Sequence, residues 1–97
     1  MTWRVSRTQA FDDWLRRLKD NTGKAIITQR ITRLTAGQIG DSKMLGDGLA
    51  ELRIDFGPGY RLYYVRHGEA LIVLLCGGDK GSQARDIARA KAMAKDV

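Results

Sequence analysis

The chain has one cysteine, one proline and one histidine in 97 residues. A lone Cys76 excludes an internal disulfide, so the core must hold the fold by itself. Seated in an apolar run, Cys76 reads as a small buried hydrophobe in a reducing, cytoplasmic setting. One histidine and one cysteine fall short of a zinc ligand set, so no metal or other cofactor is expected. No apolar run approaches the roughly 20 residues that a spanning helix needs. The stretch from Met1 to Arg7 lacks the apolar segment of a secretory signal. No membrane partner is therefore expected. Acidic residues are also scarce: 11 Asp+Glu face 17 Lys+Arg, for a net charge of +6. Such an excess on a small domain points to a polyanionic partner, either nucleic acid or an acidic protein.

What is present, 43% hydrophobic and 29% charged residues, suffices for one globular domain over residues 1–97. Trp3-Arg-Val-Ser6 alternates and predicts a short strand. Phe11, Trp14, Leu15 and Leu18 form one apolar stripe, predicting a helix from about Thr8 to Lys19, with Ser6 or Thr8 as its cap. Asp20 to Gly23 breaks it. A second helix, capped by Thr22, buries Ile27, Ile31 and Leu34, points Arg30 elsewhere and ends at Gly37. Residues Gln38 to Gly48 read as a loop, extended briefly at Met44-Leu45.

Beyond Gly48 the apolar period changes to two. Leu52, Ile54, Phe56, Leu62 and Tyr64 share one face; Glu51, Arg53, Asp55, Arg61 and Tyr63 share the other. Phe56-Gly-Pro-Gly59 makes these runs an antiparallel hairpin. With its centre near Pro58, Asp55 opposes Arg61 and Arg53 opposes Tyr63. Ala70 to Cys76 is apolar throughout, as in a strand buried on both faces. An alanine-rich helix then runs from Gln83 to about Lys95 behind a Ser82 cap. It is weakly amphipathic and basic, so it packs lightly or offers a surface to a partner. The expected class is α+β: an N-terminal strand and two-helix hairpin packed on a mainly antiparallel sheet, with a C-terminal helix. The second sheet face stays at least partly open.

Arginine has no stabilising use inside a strand, so the cations that interrupt these runs are candidates for function. The bland reading is an Asp55–Arg61 cross-strand ion pair, worth about 0.2–1 kcal/mol. The functional reading is a cationic face that holds a phosphodiester through the planar guanidinium forks of Arg53 and Arg61. Tyr60 and Tyr63 would stack on bases or donate to phosphate. RNA supplies its own nucleophile, the 2′-hydroxyl, and needs a base, an acid and cations for the developing charge. Lys80 serves as base if neighbouring charge favours its neutral amine, and otherwise as a third clamp. His67, before Gly68, reads as an exposed turn histidine. Arg66 falls on the opposite face.

Gly48-Leu-Ala-Glu-Leu-Arg-Ile54, Gly57-Pro-Gly-Tyr-Arg-Leu-Tyr-Tyr64 and Leu74-Leu-Cys-Gly-Gly-Asp-Lys80 together resemble the RelE/ParE toxin superfamily. Gln83, Asp86-Ile87 and Ala90-Lys91 extend the likeness. So do Phe11, Trp14, Leu15, Leu18-Lys-Asp20, Arg30 and Gly37. The branch it is most similar to is the HigB-like one, the addiction module killer proteins. The resemblance implies a type II toxin–antitoxin toxin that blocks translation by ribosome-dependent, metal-independent mRNA cleavage. Arg53, Arg61 and Lys80 would be its active-site cations. A cognate antitoxin of helix-turn-helix type would neutralise it, and operator DNA would be met only through that complex. Relatives often carry a Tyr or His near the C-terminus as acid/base group; this chain has none after Lys80. Two other readings remain open: a non-enzymatic DNA gyrase inhibitor and a non-toxic basic nucleic-acid-binding module.

Overall fold

Thr8 ends the first strand and starts the first helix with one side chain: its hydroxyl donates to Leu75 O at 2.5 Å and accepts from Phe11 N–H at 3.1 Å. The structure, a computed structural model, describes residues 2–97. Its elements are β1 (Arg4–Arg7), α1 (Gln9–Arg17), α2 (Asn21–Thr35), β2 (Ser42–Gly46), β3 (Leu49–Ile54), β4 (Tyr60–His67), β5 (Leu71–Asp79), a 3-10 turn (Lys80–Ser82) and α3 (Gln83–Ala94). Ser6, the other expected cap, lies within β1, and α1 stops two residues before Lys19. The cap of α2 is Asp20 rather than Thr22: its carboxylate accepts from Gly23 N–H at 2.9 Å. Gly37, at φ 94°, closes α2 in the left-handed conformation that glycine tolerates best.

The five strands lie in the order β1-β5-β4-β3-β2. β1 runs parallel to β5, and the other pairings are antiparallel. The expected α+β class is observed. The loop reading of residues 38–48 was short by one strand: Ser42–Gly46 pairs with β3, Lys43 opposite Glu51, and forms the sheet's edge. Glycines and lone polar residues hide the period of two there, so only Met44-Leu45 stood out.

One face of the sheet packs on α1 and α2 through Leu52, Ile54, Leu62, Tyr64, Ile72 and Leu74 against Phe11, Ile27 and Leu34. The other face is less open than the alternation suggests. α3 covers much of it, laying Ala90, Ile87 and Met93 on Leu49, Tyr63, Val65 and Leu75. Its alanines let it sit close to the sheet, so a weakly amphipathic helix still closes a second core. A register shift between Tyr63 and Tyr64 in the β4–β5 ladder lets Leu75 and Cys76 both join that core.

Candidate functional site

α3 does not cover the whole second face, and what it leaves free is the end where β3 and β4 turn. The ladder runs Glu51↔Tyr63, Arg53↔Arg61, Ile54↔Tyr60, so the hairpin is centred on Gly57, not Pro58. Gly57 and Gly59 both adopt positive φ, 57° and 82°, which makes the connection tight enough for that register. The slide is two residues, so each side chain keeps its expected face while its partner changes. Arg53 meets Arg61 instead of Tyr63, and Asp55 leaves the ladder for the turn. The expected Asp55–Arg61 ion pair does not form; the ion pairs among the described residues are Arg7–Asp12, Arg16–Asp13 and Arg85–Asp86.

Lys80 follows β5 directly. Its N–H donates to Gly59 O at 3.1 Å, and its methylene stem lies on Gly59, where a Cβ would come within 3.0–3.1 Å of it. The ammonium is thereby held over the hairpin turn. Arg53, Arg61 and Lys80 then line one cleft of about 270 Å³, together with Asp41 and Asp55. None of the three cations has a carboxylate within 4.0 Å among the described residues. Arg61 is 6% exposed; its Nη1 donates to Tyr60 O at 3.0 Å, while its Nε is buried with no acceptor. A buried guanidinium with unused donors is costly until an anion takes them.

The wall of the cleft is set by a residue expected to point elsewhere. The guanidinium of Arg30 donates to Arg53 O at 2.8 Å and to Ile39 O and Asp41 O, both at 3.1 Å. Arg53 N–H donates to Asp41 O at 2.9 Å. Arg30 therefore fastens the loop before β2 to the end of β3. A lone arginine at the edge of an apolar helix stripe, facing a glycine-containing loop, was the signal for it. Asp41 had none, because its loop has no period.

Two expected site residues lie elsewhere. Tyr60 is 4% exposed; its hydroxyl donates to Asp20 at 2.8 Å and its ring stands edge-on to Trp14 at 6.2 Å. Burial first, and Asp20 second, push its phenol up to about 12. Tyr63 lies fully buried beneath α3, its hydroxyl without a partner, and burial lifts its phenol far above the usual range. Neither ring is presented to a base; each is core. α3 imposes this on Tyr63, and the β4 end packed on Trp14 imposes it on Tyr60. Beside Tyr63, the buried Glu51 carboxylate accepts from Gln83 Nε2 at 3.0 Å.

His67 is exposed at the end of β4, as expected, and does not line the cleft. Arg66 is an exposed residue stacked 5.0 Å over the Trp3 ring. Cys76 is buried, and burial pushes its thiol up to about 11, away from reactivity.

The sequence profile of the family described as Phage derived protein Gp49-like (DUF891) matches residues 13–95. An uncharacterised protein of Haemophilus influenzae is 47% identical over 97 residues, covering 100% of this chain and 98% of the relative. Among solved structures, a double-mutant E. coli toxin RelE in the free state superposes with a TM-score of 0.75 over 100% of this chain and 99% of that one, at 15% identity. The toxin–antitoxin complex RelBE2 of Mycobacterium tuberculosis superposes with a TM-score of 0.64 over 82% of this chain and 100% of that one, at 21% identity. The arrangement of helices and sheet is the RelE fold, and the chain belongs to the Gp49-like phage-derived protein family.

Proposed function

We propose that the chain is the toxin of a type II toxin–antitoxin module and stops translation by cutting mRNA on the ribosome. The observation that carries this is the convergence of Arg53, Arg61 and Lys80, none held by a carboxylate, on one cleft. The fold shared with the RelE and RelBE2 toxins supports the toxin reading, and RelBE2, solved with its antitoxin, supports a protein antitoxin as partner.

The chemistry follows from the cleft's inventory. The 2′-oxygen of RNA attacks the adjacent phosphorus, and the bond to the 5′-oxygen breaks. The departing 5′-oxygen takes a proton from the Lys80 ammonium, so the products are a 2′,3′-cyclic phosphate and a free 5′-hydroxyl. Charge builds on the non-bridging oxygens, where Arg53 and Arg61 act, and Lys80 clamps the open side. The attacking hydroxyl loses its proton to a base, and Asp41 and Asp55 are the carboxylates of the cleft that can accept it. No tyrosine or histidine lines the cleft: Tyr60, Tyr63 and Tyr64 are core and His67 lies outside it.

The test is induction of the chain alone in a bacterium with pulse-labelling of protein and DNA synthesis. The parent is expected to block translation, and Arg53→Ala and Arg61→Ala to relieve the block. If both variants stay as inhibitory as the parent, the reading fails. A selective block of DNA synthesis would instead favour gyrase as target. Co-expression of the adjacent open reading frame is expected to restore growth.

A further inference from the structure

A second polar groove lies between α1 and α3. Two cavities, of about 310 and about 480 Å³, share Trp14 and Arg89 as walls and so lie side by side. Arg17 enters it from α1, Arg85 and Arg89 from α3. All three arginines are exposed. Their nearby acids are already engaged. Asp13 pairs with Arg16, Asp79 accepts from Gly81 N–H at 2.8 Å, and Asp86 is 7% exposed, accepts from the Ser82 hydroxyl and lies only at the limit of pairing, 3.9 Å, with Arg85. Gly77 and Gly78 line its inner wall. A Cβ at Gly77 would stand 2.4 Å from the Trp14 ring, and one at Gly78 would stand 1.8 Å from the Asp86 carboxylate. Trp14 and Asp86 therefore lie directly on the two glycines, a close approach that any Cβ there would forbid.

We propose that this groove binds the phosphodiester backbone of single-stranded RNA. Three arginines from two helices supply phosphate contacts, and the partly exposed Trp14 supplies an aromatic edge beside them. Continuity decides for RNA over an acidic peptide. Asp79 and Gly81 line the groove, while Lys80, the residue between them, lines the cleft of Arg53 and Arg61. One 3-10 turn separates the two, so a strand leaving the cleft passes over it into the groove. Its apolar lining, Ala10, Trp14 and Leu18, lies at the α1 end, and the end next to the cleft is lined by glycine backbone, Asp79, Ser82, Arg85 and Asp86. This site would carry nucleotides flanking the cleft, and it stands whether or not the chain cuts RNA.

The test is binding of a short single-stranded RNA made of 2′-O-methyl nucleotides, which cannot be cleaved, across a salt series. R85A/R89A is compared with K91A/K95A. The latter removes the same charge from α3, but from beside Leu49 and Asp47, in a separate cavity. Alanine favours helix at Arg85, Arg89 and Lys91, and Lys95 is the exposed cap after α3, so both variants are expected to keep the fold, which far-UV circular dichroism checks. R85A/R89A is expected to flatten the slope of log K against log salt by about 1.4, roughly 0.7 per lost phosphate contact, and K91A/K95A to leave it near the parent's. Equal losses in both would mean diffuse charge and overturn the proposal. So would an unchanged slope in R85A/R89A, including the case where that variant loses only the antitoxin. If R85A/R89A flattens the slope but the parent cleaves no RNA on the ribosome, the groove stands and the nuclease reading falls.

Discussion

Arg53 and Arg61 stand directly opposite one another in the β3–β4 ladder. Like charges in that relation destabilise a sheet by up to about 1 kcal/mol, and among the described residues no carboxylate lies within 4.0 Å of either. A sheet built only for stability would place threonine or valine there. The pair makes sense as a site whose missing counter-charge is a ligand's phosphate.

Arg53→Thr is therefore expected to raise stability while removing activity. Arg53 is half-buried and lends its backbone, not its guanidinium, to the local hydrogen bonds. Threonine keeps those bonds and suits a strand. Urea unfolding should show a gain of about 0.2–1 kcal/mol, with translation inhibition lost. A drop in stability would mean that the arginine holds the hairpin together.

Arg30 makes the opposite case. It gives three charge-assisted hydrogen bonds to carbonyls of two segments. Arg30→Met keeps the stem and takes the guanidinium donors from Arg53 O and Ile39 O, while Asp41 O keeps Arg53 N–H, at a cost of about 1.5–3 kcal/mol. The loop at Asp41 should loosen with it, visible as faster amide exchange from Ile39 to Ser42. Inhibition should weaken even at temperatures where the variant stays folded. Unchanged exchange would show that the loop is held by β2 alone.

Face membership in β3 and β4 was legible, because a period of two survives any even slide of register. Arg53 and Arg61 could thus be grouped before the ladder was known; Lys80 joined them through its place at the end of the third run and the family resemblance. Partners were not legible, since the two-residue slide depends on Gly57 and Gly59 taking positive φ. Tyr63 was misread for a different reason. A polar, charged alternation looks like a solvent face, and nothing in Ala84, Ala88 or Ala92 reveals that the helix they belong to will cover it. Arg30 could be flagged as an arginine beside an apolar stripe, but its partners could not be named, because they are backbone carbonyls.

Gly78→Ala tests how closely α3 is held. The added methyl would sit 1.8 Å from Asp86 Oδ2 and 2.9 Å from Ser82 Oγ, inside a packed seam. Overpacking of this kind costs about 1–3 kcal/mol. Asp86→Ala vacates the space, so the double variant should recover part of the loss, a non-additive cycle. Strict additivity in urea unfolding would mean that α3 moves aside freely and that the contact is soft.

Tyr60 and Asp20 should shape both limbs of the stability–pH curve. Burial and Asp20 raise the Tyr60 phenol from 10.0 to about 12. The folded state thus favours the neutral phenol. Its contribution is complete below the unfolded value near 10.0 and disappears as pH rises through about 12. The Asp20 carboxyl is held below 3.8 by the Gly23 N–H first and the Tyr60 hydroxyl second. Its contribution is complete above 3.8 and lost as pH falls through the depressed value. Tyr60→Phe removes the phenol and one of the two donors, and leaves the Gly23 cap in place. The alkaline limb should become shallower, while Tyr63 and Cys76, both raised by burial, keep it from vanishing. The acid limb should move toward higher pH and persist, because the larger donor to Asp20 is untouched. Urea midpoints of parent and variant from acid to alkaline pH measure both limbs. An alkaline limb as steep in Tyr60→Phe as in the parent would assign that loss of stability to Tyr63 and Cys76 alone.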